Sequence, residues 1–175
     1  MTQDQKSGYL RFAAMIVTSM VVMFGLMYLN TYKLSHVRWS ETRVFMTFIM
    51  GAAMAVIMLS FMRGMYSNTR VNIAIYLGSL VVFLGALFLV RSQATVGDSA
   101  YMSAMIPHHS IAILTSENAN IEDVRVRELA DGIIEAQRRE IKEMEWLIDD
   151  IHENGIASTQ AEADARPVPE FEAAP

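Results

Sequence analysis

Cysteine is absent from the 175 residues, which excludes disulfides, thiolate nucleophiles and thiolate-held iron–sulfur clusters. Acidic side chains are almost missing from the first half. Residues 1–91 hold only Asp4 and Glu41 against eight Lys and Arg, whereas residues 92–175 hold seventeen acidic side chains against six basic ones. The overall charge of −5 therefore describes neither half. An acidic aqueous half lacks the basic surface that nucleic-acid phosphates need, so no nucleic-acid partner is expected. Proline is scarce: of four copies, only Pro107 lies outside the last nine residues. No phosphate-binding glycine loop and no nucleophile–base pair stands out, so no catalytic residue is assigned.

What the chain does have is apolar residues, 53% of the total, gathered into runs. Residues 12–29, 44–62 and 71–90 carry no charge. As helices they reach about 27–30 Å, the thickness of a bilayer's hydrocarbon core. Arg11, Lys33, Arg43, Arg63, Arg70 and Arg91 flank them, where basic side chains can snorkel. Residues 1–91 thus read as a membrane anchor of three transmembrane helices, with the first acting as an uncleaved signal anchor. Basic residues divide equally between the two sides, so charge does not set the orientation. Met46, Met50, Met54, Met58 and Met62 recur every four residues, and Met20, Met23 and Met27 form a shorter stripe. Soft copper ligation and simple packing both fit such stripes, and packing is favoured. Gly51 with Ala55, and Ala74 with Gly78, have the small-xxx-small spacing that lets membrane helices approach. In the connection between the first two runs, Tyr32 and Trp39 read as interfacial aromatics, and His36 and Glu41 as interfacial residues able to contribute to a site.

Beyond Arg91 the pattern becomes that of a water-exposed helical hairpin, residues 97–153. Asp98-Ser99 caps a helix running to about Asn118; Asn120 caps a second from about Ile121 to His152; Gly155 ends it. Residues 154–175 read as a disordered tail. On the second helix, Val126, Leu129, Ile133, Ile134, Ile141, Met144, Leu147, Ile148 and Ile151 share one arc, with Trp146 facing outward. Gln137 and Glu140 break that arc, and a buried carboxylate is costly unless paired or bound to metal. On the first helix, Met102, Met105 and His109 share a stripe with Asp98 and Ser116, while His108 points to the side. Pro107 removes one backbone hydrogen bond just before the two histidines. Nitrogen, sulfur and oxygen donors facing one another suit copper better than magnesium or calcium. A core histidine and an interface-edge carboxylate fit the same residues.

The segments Met102-Ser-Ala-Met105-Ile106-Pro107-His108-His109 and Ile133-Ile134-Glu-Ala136-Gln137-Arg-Arg-Glu140-Ile141-Lys-Glu-Met144-Glu-Trp146-Leu147 resemble the domain-of-unknown-function 305 family over about residues 97–152. The resemblance implies a ferritin-like helical fold. It also implies export to the periplasm and, from its methionine-rich CopM-type members, copper binding. It points to Met102, Met105, His108, His109, Gln137, Glu140 and Met144 as metal ligands. Family members often have Met seven residues after the first histidine, where this chain has Thr115. The duplicated members carry two hairpins. With one hairpin here, two chains are expected to pair as a homodimer and complete a four-helix bundle.

The expected protein is therefore all-α. Three transmembrane helices in the inner membrane carry a periplasmic hairpin that binds copper. The alternative is an accessory membrane protein whose hairpin dimerises or docks on a larger complex without metal. A di-iron enzyme would need Glu-x-x-His pairs on facing helices, and only Asp149-x-x-His152 approaches that.

Overall fold

Thr2 starts the first helix well before the uncharged run. Its hydroxyl accepts from the Gln5 N–H at 3.3 Å, and the Gln5 side chain accepts from the Thr2 N–H at 3.1 Å. This is a computed structural model that describes residues 2–173. Met1, Ala174 and Pro175, the ends of the expected anchor and tail, lie outside the described residues. The described chain is all-α, with six α-helices, one short 3-10 helix and no strand. It divides into two compact units: residues up to 27 with 41–95, and residues 28–40 with those from 96 onward.

The first unit contains α1 (Gln3–Leu26), α2 (Glu41–Phe61) and α3 (Thr69–Ser92). All three are long and apolar enough to cross a membrane. The Arg43 guanidinium donates to the Met27 carbonyl at the end of α1. Asn68 caps α3, its side chain accepting from the Val71 N–H at 3.2 Å. α2 is the central helix and packs on both α1 and α3. The Met20 thioether lies directly over Gly51, where a Cβ would collide with it. Met58 and Met62 pack on the cluster of Phe12, Ala55, Leu59 and Tyr66. These methionines fill helix seams, as flexible side chains do. Gly78, by contrast, faces open space, and Ala74 is exposed, so that pair does not pack within the unit.

The second unit is built on a hairpin of α4 (Asp98–Asn118) and α5 (Val124–Asn154). α4 runs continuously through Pro107. The cap of α5 is Asp123 rather than Asn120: its carboxylate accepts from the Arg125 N–H at 2.9 Å and pairs with the Arg125 guanidinium at 2.6 Å. Gly155, at φ 78°, ends α5 with its N–H on the Ile151 carbonyl. Met102, Ile106, Ile113, Ile141 and Met144 form the core, with Ile134, Leu147, Ile148 and Ile151 packed around it. Each such buried side chain stabilises the fold by roughly 1.5–3 kcal/mol. Val126, Leu129 and Ile133, on the same arc, remain exposed. Trp146 is half-buried rather than turned fully to solvent.

Two segments depart from expectation. The connection 28–40 belongs with the hairpin: its 3-10 helix, Leu34–His36, packs on α4, and Tyr32 joins the hairpin core instead of an aromatic belt. The segment after Gly155, expected as a disordered tail, carries α6 (Gln160–Ala165), started by a Thr159–Glu162 capping box. It returns along α5 through an Arg166–Asp150 ion pair at 2.6 Å, and the Lys142 ammonium donates to the Glu172 carbonyl at 3.0 Å.

Candidate metal centre

α4 and α5 bring most of the expected ligands into their shared seam. The anchor of the site is His109, 8% exposed. Its Nδ1 lies 3.0 Å from the Met105 carbonyl, one turn earlier on α4. Its Nε2 lies 2.7 Å from Glu140 Oε2 on α5. Both partners are acceptors. A neutral ring has one N–H to give: through Nε2 to the Glu140 carboxylate, the shorter contact, or through Nδ1 to the Met105 carbonyl. The second arrangement is how metal-bound histidines are oriented, with the far nitrogen held by a carbonyl. Glu140 has a 41% exposed side chain, so the pair is reached from solvent on one side.

Around this pair the donors differ in access. Met102 and Met144 are buried in the hairpin core, and Met105 is half-buried beside them. Gln137, one turn before Glu140, has a buried Oε1 with no hydrogen-bond partner. An unpaired buried acceptor costs about 1–3 kcal/mol, and a bound cation is one way to recover it. His108 is exposed, and its ring centre lies 6.3 Å from that of His109 with the planes at 68°. It stands at the rim, as its sideways position on the wheel predicts. Thr115, in the place of the family's methionine, is exposed, and its hydroxyl donates back to the Ile111 carbonyl at 3.0 Å. Asp98 is exposed at the start of α4, away from the buried stripe. Asp149 and His152 are both exposed. Among the described residues no three His, Cys, Asp or Glu side chains converge. Any ion held here would need thioether or amide donors as well.

Sequence reasoning missed the cluster behind His109. Ser110 is fully buried; its Oγ accepts from the Tyr32 N–H at 2.7 Å and lies 2.9 Å from His36 Nδ1. Burial holds the His36 pKa below its ordinary value; Glu145 pulls it back up, while Lys33 and Arg38 push it further down. The neutral ring shares a hydrogen with the Ser110 hydroxyl, in the direction its tautomer sets. An Arg38–Glu145 ion pair at 3.1 Å fastens the same connection to α5. The one available signal was a histidine in a polar connection too rich in side-chain chemistry for a simple turn.

Residues 89–170 match the model of a family described as a domain of unknown function (DUF305). An uncharacterized protein of Acanthamoeba polyphaga mimivirus is 28% identical over 144 residues, covering 78% of this chain and 93% of the viral protein. That match is longer than residues 89–170, so it takes in part of the membrane half. No solved structure matches the chain.

Proposed function

We propose that this membrane-associated helical protein binds a metal ion, copper, through its hairpin, which it presents outside the cytoplasm. The observation that carries the reading is the His109 ring. One nitrogen is fixed by the Met105 carbonyl, and the other is aimed at a half-exposed carboxylate. The same two helices carry the unpaired Gln137 oxygen and, in their shared core, the thioethers of Met102, Met105 and Met144, with His108 exposed next to His109. Hard cations want oxygen ligands, and one carboxylate does not make such a site. Imidazole with thioethers favours copper. His109, Glu140, Gln137 and the methionines would hold the ion; His108 would meet it first from solvent.

The periplasmic location rests on the family resemblance, with the acidic second half suited to attracting cations. Exposed Val126, Leu129 and Ile133 support a homodimer that buries them. A second reading has its own support. The His109–Glu140 contact already joins α4 to α5, so it serves equally as a structural clasp in an accessory protein without metal.

Titration of the full-length protein in detergent with Cu(I), against a chromophoric chelator, separates the two. The metal reading expects stoichiometric binding that weakens at least about 100-fold in His109→Ala, since even the groups that orient metal ligands are worth 10–100-fold. Affinity in His109→Ala equal to the parent's leaves only the clasp.

A further inference from the structure

The membrane half carries a groove that its own packing leaves open. It runs along the seam of α2 and α3 and encloses about 400 Å³. Ala52 and Ser79, both buried, form its floor, while Ile57 and Leu80 stand exposed at its lips. From Ala52 to the level of Ser60 is about 12 Å of helix, within the roughly 15 Å that one leaflet gives to a bilayer's core. The end of the groove at that level is polar. Ser60 Oγ donates to the Val56 carbonyl at 2.7 Å, and the Tyr76 hydroxyl lies 2.9 Å from it. Helical bonding continues past Ser60, with the Met62 N–H on the Met58 carbonyl at 2.9 Å. Arg63 therefore follows Ser60 at the three-residue spacing that keeps side chains on one side of a helix, and Arg70 sits in the first turn of α3 across the connection. Both arginines are exposed, and neither makes an ion pair among the described residues. Of the two carboxylates in residues 1–91, Glu41 starts α2 at its far end and accepts from Thr95 at 3.1 Å, and Asp4 is offset in charge by Lys6. The positive charge beside the groove is unmatched.

We infer that this groove holds an acyl chain of an acidic phospholipid, with its phosphate at Arg63. Both walls belong to helices long and apolar enough to cross a membrane. A bilayer core has no water to fill the slot, so a lipid chain lies in it, and the polar end decides which lipid stays. A guanidinium gives a phosphate two parallel N–H donors, and basic pockets between membrane helices are where acidic heads lodge. A zwitterionic head carries a cation of its own and gains less there. The Ser60 and Tyr76 hydroxyls bond each other, so the head takes its donors from arginine. A second copy is the poorer occupant. Ile57 and Leu80 at the lips keep another backbone from the close approach that membrane helices use.

The test is native mass spectrometry of the full-length chain in dodecyl maltoside, titrated with palmitoyl-oleoyl phosphatidylglycerol or with phosphatidylcholine of the same chains. One phosphatidylglycerol should bind at about tenfold lower concentration than phosphatidylcholine, the worth of one charge-assisted contact. Arg63→Gln should erase that preference. Arg91→Gln, which removes an equal exposed charge at the opposite end of α3, should leave it intact. Ala53→Phe, which fills the groove from its own lining, should weaken both lipids. Equal binding of the two lipids by the parent overturns the inference. So does a preference that survives in Arg63→Gln, an equal loss in Arg91→Gln, or an Ala53→Phe protein that binds as the parent does. Arg63 is exposed beyond the end of α2, so its replacement leaves the helix seam intact.

Discussion

Asn72 in α3 and Gln137 in α5 are both amides set into a helical seam, and their hydrogen bonds end differently. The Asn72 amide donates to the Tyr66 carbonyl at 2.8 Å, and its oxygen accepts from the Tyr9 hydroxyl at 2.7 Å. Tyr9 in turn accepts from the Asn68 N–H at 3.2 Å. That cluster is closed: every group has found a partner inside the unit, as a segment facing lipid requires. The Gln137 oxygen is buried without a partner, and the His109 ring, on the facing helix, meets two acceptors. In the second cluster one acceptor, the Gln137 oxygen, stands unpaired, and on the proposed metal reading a cation would satisfy it.

Breaking the closed cluster should cost most. Asn72→Leu orphans the Tyr66 carbonyl inside the unit and should destabilise the protein by about 2 kcal/mol. Thermal unfolding in detergent measures it. On the proposed reading copper affinity should not change, because every proposed ligand lies in the other unit.

Opening the comparison from the other side gives a smaller effect of opposite sign. Gln137→Leu removes an acceptor that has no partner and should raise the stability of the metal-free protein by up to about 1 kcal/mol. The same change should weaken Cu(I) binding about tenfold. Metal-free stability that falls instead, with copper affinity unchanged, would make Gln137 a packing residue and remove it from the site.

The two regions also differ in how much of them could be read in advance. The spans were legible because lipid demands long uncharged helices, and length alone reveals them. Their ends were less so: α1 reaches back to Gln3 because Thr2 and Gln5 cap each other, a local bond that hydropathy does not register. The seam of the hairpin was legible because helical periodicity places Met102, His109 and Met144 on facing stripes, and it places His108 off them. The docked connection was not, because periodicity says nothing about it. Tyr32 and His36 meet Ser110 across 78 and 74 residues, and the partner is an ordinary serine. Ala74 and Gly78 show the reverse failure: spacing suited to a helix contact, on a face that meets no neighbour in the unit.

The docked connection supplies the smallest effect and the one that sharpens the comparison furthest, because its contacts include a buried histidine whose pKa is lowered. His36 has its pKa lowered chiefly by burial, so the folded ring resists a proton that the undocked ring accepts at an ordinary 6.5. A depressed folded value means that docking is at full strength above 6.5 and weakens as pH falls from there toward the folded value. Glu145 opposes the shift and Lys33 and Arg38 favour it; Arg138 and Lys142 also line the cleft beside His36. The Tyr32 N–H, which donates to Ser110 Oγ, reports the event. Its hydrogen-exchange protection, corrected for intrinsic rate, should drop below pH 6.5, while the Gly155 N–H on Ile151 stays protected. In His36→Phe the Tyr32 protection should lose its pH dependence. Protection that falls equally at both sites would mean that the whole hairpin opens in acid.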